Sequence, residues 1–325
     1  MTAPGAAARR AAVGVLAVVL VAAAVGLAGW AAATGSGPTT AASAAPVNPN
    51  QSLTSFGGQF LASCPYSHTR PDDPIVHMGM PGMSHLHEFF GNDTTDAATT
   101  FASLRRGSST CSEAGDRSGY WVPALYVGAK RVPPVRVDAY YRVPNGVKPA
   151  AVRPFPDGLE ALAGNQHATA TQSLDVVAWT CGLSPDLTTS PPSTCGPDRP
   201  LQLRLTFPSC WDGHHAASAD HVSHLAYPTA AGCPGSHPVP IPQLTLAVHY
   251  PVYGKLGEVH LASGSTVTAH GDFFDGWDPA RLRAQVAGCL NRDVTCGIVG
   301  GTFHTGPGSG DRDTYNLPAY SGDES

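Results

Sequence analysis

Three short stretches gather residue types that hold metals or move protons. They are Ser84-His85-Leu86-His87, Asp220-His221-Val222-Ser223-His224 and His270-Gly271-Asp272. Imidazole is the commonest metal ligand and the usual acid–base group near neutral pH. On an extended backbone, His85-x-His87 points both rings to one side, so two nitrogen donors aim at one point. His270-x-Asp272 has the same spacing and sets an imidazole beside a carboxylate. That pair suits a divalent metal or acid–base work. In Asp220-His221-x-x-His224 the rings share a face only if the stretch turns helically. Asp220 can there hold an imidazole tautomer. Each cluster also has a plainer reading, as surface histidines or as Asp220 capping a short turn.

Trp121, Trp211 and Trp277 are candidate stacking faces for a sugar ring, with Asp212 and Tyr227 as further substrate contacts. Other schemes are absent from the chain. It has no G-x-S-x-G elbow, no H-E-x-x-H helix and no G-x-x-x-x-G-K-[ST] loop.

The elements that must position these groups read as mostly β. Gly (36) and Pro (30) are abundant and the charged fraction is 13%, a mix that fits a loop-rich β protein better than a helical bundle. Strands are expected at 59–64, 120–127, 135–143, 174–181, 201–207, 241–250, 258–262 and 265–269. The run 201–207 alternates strictly, which predicts one buried and one wet face. Long loops are expected at 81–119 and 144–173. One helix is expected over 279–290, with Asp278 as N-cap and Pro279 in the first turn. Leu282, Val286 and Cys289 would share its buried face. The fold expected is a single β-sandwich or distorted jelly roll with long loops and one short C-terminal helix.

The N-terminus reads as an export segment. A short n-region at 1–10 carries Arg9 and Arg10, and 11–33 is uncharged and apolar, at the length of a membrane span. Basic residues before it put the body outside. This predicts a single N-terminal membrane anchor on an extracellular protein, with cleavage and secretion as the alternative. A flexible linker follows at 34–50, the domain itself at 51–304 and a tail at 305–325. All eight cysteines lie beyond the export segment, an even count that reads as disulfides. Neighbour pairing is the simplest scheme: Cys64–Cys111, Cys181–Cys195, Cys210–Cys233 and Cys289–Cys296. The net charge of −5 and the lack of any Lys/Arg run argue against nucleic acid as a partner.

Several ordered blocks resemble the DUF1996 family, known from fungi and actinobacteria. They are Asp73-Pro74-Ile75-Val76, the stretch from Pro81 through His85-Leu86-His87-Glu88 to Asn92, and Gly119-Tyr120-Trp121-Val122-Pro123. Further on come Phe207-Pro208-Ser209-Cys210-Trp211-Asp212-Gly213, Asp220-His221-Val222-Ser223-His224 and His270-Gly271-Asp272-Phe273-Phe274. His77-Met78 before Gly79 departs from the pattern. The resemblance implies that His85, His87, His221, His224, His270 and Asp272 belong to one motif set, and it supplies no mechanism.

Clustered polar groups are easiest to explain at a shared cleft. The expectation is a cell-envelope enzyme acting on polysaccharide, a hydrolase or lyase. In one version a divalent metal, zinc or calcium, is held by His85, His87 and one of His224 or His270, with His221 a further candidate ligand. Asp272 or Asp220 then activates water. In the metal-free version His270 is the base and His224 or Tyr227 the acid. The alternative is a non-catalytic glycan-binding or metal-binding surface module.

Overall fold

The computed structural model describes residues 58–299 and 302–304, the last strand pair by its backbone alone. The segments 1–10, 11–33 and 34–50 and the tail 305–325 lie outside the described residues. One localisation expectation is corrected here. No helix among the described residues is long and apolar enough to cross a membrane, so the N-terminal anchor is not carried forward.

Nine strands make one antiparallel sheet. They are β1 (Gln59–Arg70), β2 (His87–Gly91), β3 (Gly119–Pro123), β4 (Arg136–Arg142), β5 (Glu160–Gly164), β6 (Val177–Cys181), β7 (Leu201–Thr206), β8 (Gln243–His249) and β9 (His270–Phe274). Their order across the sheet is β5-β9-β3-β2-β1-β4-β8-β7-β6. The sheet curls nearly into a barrel. A Cβ on Gly271 of β9 would come within 2.6 Å of Leu205 Cδ1 of β7, from the far side of the sheet. The expectation of a mostly β domain with one short C-terminal helix holds.

Side chains alternate across a strand, and this sorts the two faces. Phe60, Val122, Tyr141, Trp179, Leu203, Leu246 and Phe273 point inward and build one core. On the outer face, β2, β3, β5 and β9 carry a second apolar cluster of Phe89, Trp121, Phe274 and Leu162. Ile75, from the loop at 71–86, packs into it. The same outer face carries His87, His270 and Asp272.

The strand run at 201–207 departs from its expected pattern, because β7 is buried on both faces. Gln202 and Arg204 are sheltered through partners: Arg204 Nε donates to Gln202 Oε1 at 2.7 Å and Arg204 Nη2 to the Ser184 carbonyl. Polar groups can be buried when they are satisfied in this way. Two strands fall inside expected loops, β2 within 81–119 and β5 within 144–173. The stretch 265–269 is not a strand but holds a 3-10 turn, Thr266–Thr268.

All four neighbour disulfides form, and they are consistent with an extracellular protein. The C-terminal helix α1 (Pro279–Gln285) opens on Asp278, which accepts from the amides of Ala280 and Arg281. It continues as a π turn, Val286–Leu290, and Leu282, Val286 and Cys289 are buried.

Behind the core lies a carboxylate pair. Burial pushes Asp275 up to about 8 and Asp116 up to about 6. An unfolded aspartate titrates near ~4, so between these values the folded protein holds protons that the unfolded chain has released. The contribution to stability is full below the unfolded value and lost as pH rises through the folded ones. Above about pH 7, where the buried histidines are neutral in both the folded and the unfolded chain, the melting temperature is therefore expected to fall toward pH 9 as Asp275 ionises. In Asp275→Asn that slope should flatten, which thermal melts followed by circular dichroism would measure. An unchanged slope in the variant would contradict this assignment.

Candidate metal centre

The site begins with strand register. Phe89 of β2 lies opposite Trp121 of β3, and Trp121 opposite Asp272 of β9. One step along, His87 lies opposite Pro123, and His270 of β9 opposite Gly164 of β5. Continuing the register, Pro123 falls between the two histidines. The imidazoles of His87 and His270 lie with centroids 5.8 Å apart. His85, two residues before His87, completes the group at 4.2 Å from His87 and 5.0 Å from His270.

Two of the rings are oriented by the backbone. His87 Nδ1 donates to the Asp72 carbonyl at 3.0 Å, and His270 Nδ1 donates to the Thr268 carbonyl at 2.8 Å. Each bond fixes the tautomer and leaves Nε2 as a bare lone pair. His87 Nε2 and His85 Nε2 are buried with no hydrogen-bond partner, and so is Asp272 Oδ2. Buried polar atoms are nearly always satisfied, so three such atoms in one place mark a candidate ligand cluster.

Two overlapping groups have ligand atoms within 4.8 Å of one another: His85, His87 and His270, and Asp73, His87 and Asp272. A third cluster, Cys64, Cys111 and Asp116, is not available, because its thiols are joined as a disulfide.

Electrostatics favour the ligand forms of the rings. Burial lowers His85 and His270 to about 4, helped by the neighbouring His77 and His167 for the first and by His85 for the second. His87 is fully buried and lies well below its usual value. All three are therefore neutral at pH 7, as metal ligands must be. Burial, with Asp73 nearby, holds Asp272 well above the carboxylate range, and Asp73 is raised as well.

Asp73 was not among the residues singled out from sequence. It is delivered by the loop at 71–86, where its Oδ1 accepts from the amides of Ile75 and Val76. Asp72 clamps the same loop by accepting from Gly82 N and Ala97 N. Its signals were its place just before the first histidine cluster and its membership of the Asp73-Pro74-Ile75-Val76 block, neither of which gave it a role.

The second cluster does not join the trio. His224 is committed to structure: Nε2 donates to the Glu160 carbonyl at 2.7 Å and Nδ1 meets the Ser218 hydroxyl at 2.9 Å. It is thus corrected as a ligand and as an acid. Asp220 is exposed and caps its own turn, accepting from Ser218 Oγ and from the amides of Val222 and Ser223. That removes it as a water activator. His221 stands apart. Its φ of 61° is left-handed, a strained setting for this residue. Its Nδ1 is buried without a partner, and it bears electrostatically on Asp73.

His221 also lines a cavity of about 290 Å³, with Leu162, Gly164, Asn165, Gln172 and Tyr227. Leu162 and Gly164 are the register partners of Asp272 and His270, so the cavity adjoins the imidazole trio.

The expected stacking residues divide. Trp121 and Trp277 are buried, at 0% and 1% exposure, and cannot present a face to a sugar. Trp211 is half-buried and donates to the His215 carbonyl. Asp212 is occupied by the amides of His214 and His215 and by the His215 ring. Tyr227 alone reaches the cavity, with its hydroxyl donating to the Thr206 carbonyl.

A family model described as "Domain of unknown function (DUF1996)" matches residues 73–277. No curated protein matches the chain. No solved structure matches it either.

His224→Ala separates structure from chemistry. It leaves the Glu160 carbonyl without its donor and opens a cavity, so a loss of about 2 kcal/mol is expected. Denaturant unfolding would measure it. Metal uptake by the folded variant should be unchanged, and its loss would return His224 to the site.

Proposed function

The chain belongs to the DUF1996 family, and we propose that it works as a metal-dependent hydrolase whose ion is held by His85, His87 and His270. The observation that carries this reading is the convergence of three neutral imidazoles, two of them with Nδ1 tied to backbone carbonyls, around buried and unpartnered acceptor atoms. Three nitrogens with a carboxylate favour a zinc-like ion over calcium, which takes oxygen ligands. Three protein ligands leave a fourth position for water, whose acidity a bound zinc raises. Asp272 and Asp73 stand on the His87 side of the trio. There either carboxyl, ionised once a cation offsets the burial that raises it, can accept the water's proton.

The adjoining cavity suits a neutral, hydroxyl-rich substrate, and we take this to be a unit of an extracellular polysaccharide. Among the described residues its lining holds the amides of Asn165 and Gln172 and the hydroxyls of Ser173 and Tyr227, with no lysine, arginine or carboxylate. A few placed polar groups over an apolar wall is the usual make-up of a small-molecule site. The burial of Trp121 and Trp277 weakens the alternative of a glycan-binding module without turnover.

Elemental analysis of the purified protein tests the reading. About one zinc per chain is expected, and the His85→Ala/His87→Ala variant should lose it while staying folded. Chelation should abolish hydrolysis of envelope polysaccharides, and zinc should restore it. Full metal occupancy in the double variant would overturn the ligand set.

A further inference from the structure

The chain has four methionines, and three of them fall within six residues, at Met78, Met80 and Met83. Methionine is usually a core residue. Here the core uses none, and these three side chains are 54%, 49% and 63% exposed. Packing does not account for them.

The backbone gathers them. Met80 N donates to the His77 carbonyl at 3.0 Å and Met83 N to the Met80 carbonyl at 3.3 Å, so two successive turns share Met80. Each turn brings its end Cα atoms within about 7 Å. Ser84 N closes the lobe on the Pro71 carbonyl. Gly79 and Gly82 supply the left-handed φ values of 73° and 74°, with open space around both. A methionine side chain has three rotatable bonds, so the three sulfurs can converge on one point above the lobe. His77, at the start of the first turn, adds an imidazole.

Thioether sulfur is a soft ligand and selects monovalent copper over zinc or calcium. All eight cysteines are joined as disulfides, so these methionines are the soft sulfur donors the described domain has left. Thioethers also keep their lone pairs in an oxidising compartment, where thiols pair off. We propose that the 77–83 lobe is a copper(I) site, with Met78, Met80 and Met83 as sulfur ligands and His77 as a nitrogen ligand. It lies beside the imidazole trio, since His77 bears electrostatically on both His85 and His87. It is a second site for a different ion and does not rest on the hydrolase reading.

The test is an anaerobic titration of the full-length protein with copper(I), in competition with a chromogenic chelator. Wild type should take up one copper(I) on the lobe. The Met78→Leu/Met80→Leu/Met83→Leu variant keeps size and apolarity but lacks sulfur. It should bind at least roughly a hundredfold more weakly with an unchanged melting temperature. His77→Ala should weaken binding about tenfold. The His85→Ala/His87→Ala variant should bind copper(I) as wild type does, which separates this site from the zinc centre. No copper(I) uptake by wild type, or wild-type affinity in the leucine variant, would overturn the proposal. So would loss of copper(I) in the double histidine variant alone, which would place the ion in the trio.

Discussion

Burial of polar side chains on the outer face of a sheet whose inner face is already the core is the constraint behind this site. A strand has two faces. On β2 and β9 the inward residues, Phe90 and Phe273, are committed to the core. The outward residues His87, His270 and Asp272 would ordinarily meet water, but all three are buried, and the loop at 71–86 brings Asp72 against His87 and Asp73 beside His87 and Asp272. Without water, the imidazoles cannot hold protons and Asp272 resists ionisation. The backbone carbonyls of Asp72 and Thr268 satisfy one nitrogen of each strand histidine and leave the other bare. An unpaired buried polar group costs about 1–3 kcal/mol, and a cation would offset several such costs at once. Ring neutrality, ring orientation and the need for a ligand thus share one cause.

The curl of the sheet sets the rest of the neighbourhood. Glu160, at the start of β5, accepts from His224 through its carbonyl and donates its amide to the Ala216 carbonyl. These bonds hold the 212–227 segment against the sheet edge. That segment places the strained His221 and Tyr227 along the cavity, one strand beyond β9. The second histidine cluster therefore shapes the cavity wall rather than the ligand set.

What was legible in the sequence followed the period of two. His85-x-His87 and His270-x-Asp272 were readable because strand geometry alone puts i and i+2 on one side. Glu88 faces away as that rule demands, and it is buried against Arg131. Cysteine order and the Asp278-Pro279 helix start were local signals, and the structure keeps both. The failures were tertiary. Asp73 reaches the site through a loop whose path depends on Asp72 contacts more than ten residues away. The spacing of His221 and His224 carried no sign that Ser218 and the Glu160 carbonyl would occupy one ring. Trp121 and Trp277 looked like sugar platforms because aromatic type does not reveal burial. Trp277 instead donates to the Tyr141 hydroxyl in the core, and Trp121 stacks on Phe89. The strands β2 and β5 lay within expected loops because each is only five residues long.

The most direct measurement is a crystal structure of the zinc-loaded protein with anomalous data at the zinc edge. With the centre as proposed, one strong peak is expected among His85, His87 and His270, about 2.0–2.1 Å from a ring nitrogen of each. A zinc-loaded crystal with no peak there, or with the metal elsewhere and these three rings bonded to water or to one another, would contradict it.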